Sequence, residues 1–194
     1  MIEFIKNSRF ESKGRGKMGT EQLVTDRLIL RKLTVDDSRQ MFNNWASDPA
    51  ATKYLPWKPY QKLEYVSAYL KTIEHEYQTH DTFCWGIELK GSRQLIGSIS
   101  VVDDYKEIQT MAIGYVIGQN WWHQGYTSEA LSAIIDFLFE TTSVNRLEAF
   151  HDAENKNSGS VLTKCGFVFE GVLRQRGKNN RGVVDQCIYS LLRQ

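Results

Sequence analysis

The sequence predicts a single α+β domain with a mixed central sheet of about seven strands, flanked by about four helices. Along the chain, apolar residues switch repeatedly between the two-residue period of strands and the 3.6-residue period of helices. The resulting order is strand, two helices, three strands, helix, strand, helix and two strands. The 194 residues suit one core, and no internal repeat or linker divides them.

The N-terminal part predicts an extension, a strand and two helices. Residues 1–20 are polar and lack the apolar centre of a secretory signal, so we expect a flexible extension and a domain covering 21–194. Residues 27–33 alternate apolar and polar side chains, as a half-buried strand does. Helical spacing of apolar residues, with hydroxyl and acidic residues at the first start, predicts helices over 34–45 and 63–78.

The middle of the chain predicts three strands. Residues 83–89 and 95–102 flank a polar turn and are expected to form a hairpin. Residues 103–107 are polar and predict a turn. Residues 111–117 are mostly apolar, which is typical of a central strand.

The C-terminal part predicts two helices and three strands. A loop over 118–126 leads into a helix that Thr127 or Ser128 could cap. Gly166 suits the left-handed conformation that ends many helices. The remaining predicted elements are a strand over 146–151, a helix over 155–165, and strands over 167–175 and 183–192.

Composition excludes several classes of protein. The chain has 24 basic and 23 acidic residues, a net charge of +1, so nothing indicates nucleic-acid binding. No apolar run approaches the length of a membrane span. The three cysteines are odd in number and widely spaced, which argues against a disulfide framework and predicts a reducing, cytoplasmic location.

The most informative segment is a buried strand, a loop and a helix over 111–130. Amide N–H groups at a helix start lack intrahelical partners and face the positive end of the helix dipole, so they can bind an anion. Gly125 would allow close approach of a ligand, and Thr127 and Ser128 add hydroxyl donors. A phosphate or pyrophosphate site is one interpretation, and an ordinary turn with a glycine is the other. Neither GxxxxGK[ST] nor GxGxxG is present.

Three blocks of sequence resemble the GNAT superfamily of N-acetyltransferases, in the branch that acetylates the N-terminal alanine or serine of ribosomal proteins. The resemblance covers the chain from about residue 23 to the C-terminus, and the blocks occur in the family's order. The blocks are Thr25 to Arg31; Ile113-Gly114-Tyr115 with Gly125-Tyr126-Thr127-Ser128-Glu129-Ala130; and Asn155-Lys156-Asn157-Ser158 followed by Val161 to Phe167.

The resemblance implies that acetyl-coenzyme A lies in a V-shaped splay between predicted strands four and five, 111–117 and 146–151. The backbone of Val116 and Ile117 would pair with the pantetheine arm. Asn155 and Ser158 would lie beside the pantetheine and the sulfur. The residues implied to hold the pyrophosphate are His123, Gln124, Gly125, Tyr126, Thr127 and Ser128.

The reaction implied needs a neutral amine and a proton for the leaving thiolate. Ser158 is the candidate proton donor, the alternative being a hydroxyl that only caps its helix. Ala112 stands where this branch often has Glu, so the general base is open. His151 is a candidate base, with Asp152 beside it, and the alternative, a structural residue at a strand end, is the favoured one. A water chain serving an α-amine is a further alternative.

The predicted function is acetyl transfer to a primary amine, by direct attack in a ternary complex. The favoured acceptor is a protein or peptide N-terminus, such as that of a ribosomal protein. One alternative is a small amine resembling a polyamine or antibiotic, and another is that the chain is a non-catalytic acyl-coenzyme A sensor. The loops over 48–62 and 179–183 would decide the acceptor. His75 and His80 lack metal-site spacing, so no metal is expected. Neither nucleic acid nor membrane is expected as a partner, and the chain would be a monomer or homodimer.

Overall fold

The computed structural model describes residues 19–79 and 81–194. The chain forms one mixed sheet of eight strands in the order β1-β2-β3-β4-β5-β6-β8-β7. Neighbouring strands are antiparallel except β5 and β6, which are parallel. The strands are β1 (Leu23–Val24), β2 (Leu28–Arg31), β3 (Cys84–Leu89), β4 (Leu95–Tyr105), β5 (Thr110–Ile117), β6 (Arg146–Asp152), β7 (Val168–Asn179) and β8 (Gly182–Leu192).

The sequence prediction of a mixed α+β sheet is confirmed, with one strand more than expected. The additional strand is β1, whose two residues are too few for a periodicity to show. The predicted extension over 1–20 lies outside the described residues except for its end. Thr20 is buried, and its hydroxyl accepts a hydrogen bond from Cys84 N at 2.8 Å, so the ordered fold includes Thr20.

Five α-helices accompany the sheet in the described part of the chain. The predicted helix over 34–45 is divided into a 3₁₀ turn (Val35–Asp37), α1 and a π-helical turn (Phe42–Ala46). The Asp37 carboxylate accepts from Thr34 N at 2.9 Å, which holds the tighter turn at the start. The α-helices are α1 (Ser38–Met41), α2 (Pro49–Thr52), α3 (Leu63–Glu76), α4 (Tyr126–Thr141) and α5 (Lys156–Lys164).

The helices cover the two faces of the sheet and form two cores. We call the face toward α1–α3 the front face and the face toward α4 and α5 the back face. On the back face Trp85, Met111 and Leu147 pack with the apolar side of α4. On the front face Cys84 and Leu95 pack with α1 and α3. In the described part of the chain, no helix is long and apolar enough to cross a membrane.

Strand β4 extends beyond its predicted end, through the segment 103–107 that the polar sequence assigned to a turn. A bulge after Val101 leaves Val102 without a partner in the β4–β5 register, and pairing resumes at Asp103 opposite Ala112. The Val102 side chain lies over Gly114, where any Cβ would come within 3.0 Å of it. The bulge thus keeps pairing continuous while it turns Asp103 to the same face as Ala112.

Candidate functional site

The sheet opens between its two parallel strands. Strands β5 and β6 pair only over 110–112 and 146–148. Beyond those pairs, β5 keeps its contact with β4 and β6 keeps its contact with β8. The backbone of 113–117 and 149–152 therefore borders a wedge, where polar groups on the strand edge are available to a ligand. The predicted splay between these two strands is confirmed.

A cavity of about 600 Å³ lies at the wide end of the wedge. Its walls come from β5, the loop before α4, the starts of α4 and α5, and the segment around α2, so it spans both faces of the sheet. Nine predicted cofactor residues line it. They are Val116, Ile117, His123, Gly125, Tyr126, Thr127, Ser128, Asn155 and Ser158.

Gln124 is the tenth predicted cofactor residue and lies within the same loop. Its side-chain amide donates to Asn120 O at 3.0 Å, and its carbonyl accepts from Arg27 Nη1 at 3.0 Å. Gln124 therefore holds the shape of the loop.

The loop before α4 is built to present amide groups. His123 and Gly125 have φ angles of 60° and 79°, so the left-handed region recurs within three residues. Gly125 is the N-cap of α4, which corrects the predicted cap at Thr127 or Ser128; both lie inside the first turn. Trp122 Nε1 donates to Ile117 O at 2.9 Å and fixes the loop to the end of β5. Amides at such a start can cradle an anion.

Two cations stand beside this helix start. A Cβ at Gly125 would lie 3.4 Å from Arg27 Nη2 and 3.8 Å from Lys164 Nζ. Arg27 is held by Glu129, with Nε and Oε2 2.6 Å apart, and its guanidinium lies over the Tyr126 ring at 4.4 Å. The site is therefore electropositive from side chains as well as from the helix dipole.

Glu129 joins the first sequence block to the second. Burial alone would raise the pKa of Glu129, but hydrogen bonds from Thr25 and Arg27 outweigh burial and lower it below its ordinary value. The sequence comparison placed Arg27 and Glu129 in motifs without a role. Their opposite charges were visible, but a separation of 102 residues gave no signal that they meet.

Ser158 and Tyr115 form a hydroxyl pair in the cavity. Ser158 Oγ lies 2.8 Å from Tyr115 Oη, and Tyr115 also donates to Ser158 O at 3.1 Å. Burial raises the pKa of Tyr115 above its ordinary value, against the opposing hydrogen bond with Ser158. Asn155 is the N-cap of α5, and its side-chain oxygen accepts from Ser158 N. Sequence reasoning identified Ser158 and missed the role of Tyr115, which the motif already contained.

His151 lies on a different side of α5 from this hydroxyl pair. It is 8% exposed and lines a separate surface depression with Gly159, Phe169 and Tyr189. Its Nδ1 lies 2.8 Å from Asp152 O, while Nε2 has no hydrogen-bond partner among the described residues. A Cβ at Gly159 would approach Nε2 to 2.9 Å, so the ring packs against the helix backbone. This placement favours the structural interpretation of His151.

Three segments distant in sequence form the front wall of the site. Asn180 binds the first of them: its N donates to Leu55 O at 2.9 Å, and its side-chain amide donates to Thr52 O at 2.8 Å and Trp57 O at 3.1 Å. We define the front wall as 52–57, 152–154 and 179–182.

Charged groups connect the rest of the front wall. Asn179 Nδ2 donates to Asp152 Oδ2 at 2.7 Å, and Arg181 Nη2 donates to Glu154 Oε2 at 3.0 Å. The Arg181 guanidinium carbon lies 5.5 Å from the Tyr54 ring centroid. The Asn180 bonds and the contact of Arg181 with Tyr54 bring together the two loops predicted to decide the acceptor, although their sequences gave no sign of contact.

Neither metal nor thiol chemistry is prominent here. Within 19–79 and 81–194, no group of three or more His, Cys, Asp or Glu side chains is arranged to hold a metal ion. The three cysteines are free. Burial raises the pKa of the Cys84 thiol to about 11 and that of Cys165 above its ordinary value, so both remain neutral thiols near pH 7.

The comparisons with known proteins agree on one family. A family described as Acetyltransferase (GNAT) domain matches residues 27–168. The chain is 32% identical to the uncharacterized N-acetyltransferase YoaA of Bacillus subtilis over 88% of this chain and 96% of that protein. It is 27% identical to the [ribosomal protein uS5]-alanine N-acetyltransferase of Escherichia coli, over 81% and 83% of the two chains.

A solved structure shows the same fold. The ribosomal L7/L12 α-N-protein acetyltransferase in complex with coenzyme A superposes with a TM-score of 0.79 at 19% identity, covering 89% of this chain and 98% of that one. The likeness extends over nearly the whole described chain.

Proposed function

This chain belongs to the GNAT acetyltransferase family and is an acetyl-coenzyme A-dependent N-acetyltransferase, and we propose that its acceptor is the N-terminal α-amine of a protein or peptide. The observation that carries the proposal is the continuous cavity. It joins the amide cradle at α4 to the Ser158–Tyr115 pair and continues to Lys53, Tyr54 and Leu55 of the front wall. A cofactor and an amine can therefore occupy one space together, as direct transfer requires.

The residues of this chain fit coenzyme A. The amides of Tyr126 and Thr127, with the Arg27 and Lys164 cations nearby, suit a pyrophosphate. The open edge of β5 at Val116 and Ile117 suits the amide groups of a pantetheine arm, which can bond as an added strand would. We assign these residues as the cofactor contacts.

When bound, acetyl-coenzyme A supplies a thioester whose carbonyl carbon is the electrophile and whose thiol is the leaving group. We assign to Ser158 Oγ the donation of a proton to the departing sulfur. Tyr115 orients that hydroxyl at 2.8 Å and stays protonated, since burial raises its pKa. An amide N–H on the open edge of β5 is suitably placed to polarise the carbonyl.

Of the candidate acceptors, an α-amine needs the least help from the site to lose its proton. Its pKa of about 7.7–8.0 lies more than two units below the ~10.4 of a lysine amine. Ala112 offers no proton acceptor at the position where related enzymes often have Glu. Relatives that acetylate ribosomal proteins support a ribosomal acceptor. We propose a cytoplasmic location, where such an acceptor is found and where the three free cysteines would stay reduced.

The test is thiol release with a panel of amines. The panel contains a peptide beginning with Ala or Ser, the same peptide blocked at its N-terminus but carrying an internal Lys, and a polyamine. We expect the free N-terminus to accelerate thiol release at least about tenfold over the blocked peptide near pH 7.5, from the difference in amine pKa. Mass spectrometry locates the acetyl group.

Each other outcome of the panel has a defined meaning. Preference for the polyamine would overturn the peptide proposal and support a small-molecule acceptor. If calorimetry shows acetyl-coenzyme A binding and no amine accelerates thiol release, the chain is a sensor instead.

A further inference from the structure

The apex of the wedge carries an unexpected carboxylate. Ala112 is the last residue of β5 that pairs with β6, and its partner in the register is Glu148. Met111 and Ile113 on either side face the back core, so the Ala112 methyl points to the front face. The Glu148 side chain shares that face, because Leu147 and Ala149 beside it are buried in the back core.

The register lets Glu148 substitute for an acidic side chain at position 112. Neighbouring strands lie about 4.8 Å apart. A glutamate side chain spans a comparable distance, so the Glu148 carboxylate can reach the space above the small Ala112 methyl. An acidic side chain at position 112 is therefore not required, because Glu148 on the neighbouring strand supplies a carboxylate at the same level of the sheet.

Glu148 is paired with a cation on one side and is accessible on the other. Its Oε2 lies 3.3 Å from Arg146 Nε, and its side chain is 12% exposed. The two terminal nitrogens of Arg146 are occupied by Glu170, at 2.8 and 2.6 Å. Among the described residues, the hydrogen bond and ion pair of Glu148 both use Oε2, so Oε1 can accept from a further donor.

The other carboxylates of this face are less suitable. Asp103 lies opposite Ala112 on the same face, but it is exposed, and its strand β4 borders the edge of β5 that is away from the wedge. Asp152 is 6% exposed and already accepts from Asn179 Nδ2 at 2.7 Å and Glu154 N at 2.9 Å. Three charged groups therefore surround Glu148 on this face. Arg146 lies on its own strand, Glu170 is paired with Arg146, and Asp103 lies on β4 across β5.

We propose that Glu148 is the proton acceptor for the amine, acting directly or through one water from the apex of the wedge. Before attack, Glu148 takes one proton from the ammonium nitrogen and releases it to solvent. As the new C–N bond forms, the nitrogen loses a second proton, and the breaking C–S bond leaves its electron pair on sulfur. The sulfur gains one proton from Ser158 Oγ. The second proton lost by the nitrogen then returns to Ser158 Oγ through solvent.

The proposal rests on amine acetylation by this chain and applies to whichever acceptor the panel identifies. The test compares Glu148→Gln with Asp103→Asn, a matched loss of charge in the same row of the sheet. At pH 7 we expect Glu148→Gln to lower kcat about 100-fold and Asp103→Asn to leave it within threefold. The deficit of Glu148→Gln should shrink as pH approaches the amine pKa, because the free amine then needs no base.

Two controls separate proton transfer from folding and cofactor binding. Acetyl-coenzyme A affinity by calorimetry and the thermal midpoint should be unchanged in Glu148→Gln. A loss of activity that is equal at all pH values, or a kcat within threefold of wild type, overturns the proposal. Absence of wild-type turnover with peptides would instead count against the acceptor proposed above, and the best amine of the panel would then be used.

Moving the carboxylate across the strands gives a second, independent test. In the Glu148→Gln background, Ala112→Glu places an acid on β5 at the same level of the sheet. We expect the double variant to recover at least tenfold of the lost kcat, provided that circular dichroism shows a folded chain. A folded double variant without recovery means that the acid is needed for another reason, and the proposal fails. Should the double variant not fold, the pH dependence of Glu148→Gln alone decides.

Discussion

The two sides of the wedge are assembled in different ways. Most of the cofactor side is one continuous stretch in which strand β5, a loop and helix α4 follow one another over 110–141, with Arg27, Ser158 and Lys164 added from elsewhere in the chain. The front wall is made of three segments, and the two bonds donated by the Asn180 side chain cross 128 and 123 residues. The first side is a local motif, whereas the second exists only when the chain is folded.

The two sides should therefore respond differently to substitution. A local motif can hold an anion with few long-range contacts. The front wall depends on single side chains, so one substitution there can alter it. The following predictions test that division, from the largest expected effect to the smallest.

Gly125→Val should weaken acetyl-coenzyme A binding by roughly 10- to 100-fold. A β-branched residue at a φ of 79° is strained by about 1–3 kcal/mol, and its side chain would crowd Arg27 and Lys164. Calorimetry measures the affinity. Gly91→Val is the control, because a Cβ there has no described heavy atom within 4 Å, and its affinity should equal wild type. Equal affinity in both variants would remove the loop from the binding site.

Ser158→Ala should lower kcat by about 10- to 100-fold and leave the cofactor dissociation constant within twofold. The hydroxyl supplies a proton and binds little, so the loss should fall on turnover. Tyr115→Phe should have a smaller effect of the same kind, because Tyr115 acts by orienting Ser158. Rapid-mixing measurement of thiol release gives kcat. An unchanged turnover number in Ser158→Ala would exclude it as the proton donor.

Asn180→Ala should raise the KM for the acceptor severalfold without changing cofactor affinity. The substitution removes two hydrogen bonds that tie the hairpin tip to 52–57. We also expect a loss of about 1–2 kcal/mol in the free energy of unfolding, measured by urea denaturation. The exposed neighbour Lys178→Ala serves as the control. If cofactor affinity fell together with acceptor binding, the two sides would not be independent.

Acid should remove a small stabilising contribution from the front face. Hydrogen bonds from Arg146 and Ser190 lower the pKa of Glu170 to about 2, against about 4.3 in an unfolded chain. The contribution is therefore complete above the unfolded value and is lost as pH falls through the folded one. Urea midpoints of wild type and Glu170→Gln should differ at pH 6 and converge toward pH 2. A constant difference would mean that Glu170 does not titrate with this partner.

Much of the fold and of the cofactor side could be predicted from sequence because their determinants are local. Alternating and helical periodicities located the strands and long helices, and the loop with Gly125 predicted an anion-binding helix start. The cap of α4 was misassigned because a glycine cap leaves no side-chain signal. Strand β1 escaped notice since it has only two residues.

The rest depended on contacts that no local pattern contains. Glu148 gave no sign of importance in sequence, since only the parallel register places it beside Ala112. The pairing of Arg27 with Glu129 and the binding of Asn180 to 52–57 likewise join remote segments. Conversely, His151 had a suitable chemical identity, but its ring packs against Gly159. The chemical type of a residue makes it a candidate for a role, and its position in the folded chain decides whether it can perform that role.

Only three rungs of backbone pairing join β5 to β6, so the sheet consists of two half-sheets, β1–β5 and β6–β8, with a short seam. Coenzyme A bound in the wedge as proposed would pair with the edge of β5 as a ninth strand and would connect the two halves. The amides of 113–117 and 149–152 should then exchange hydrogen more slowly when coenzyme A is present.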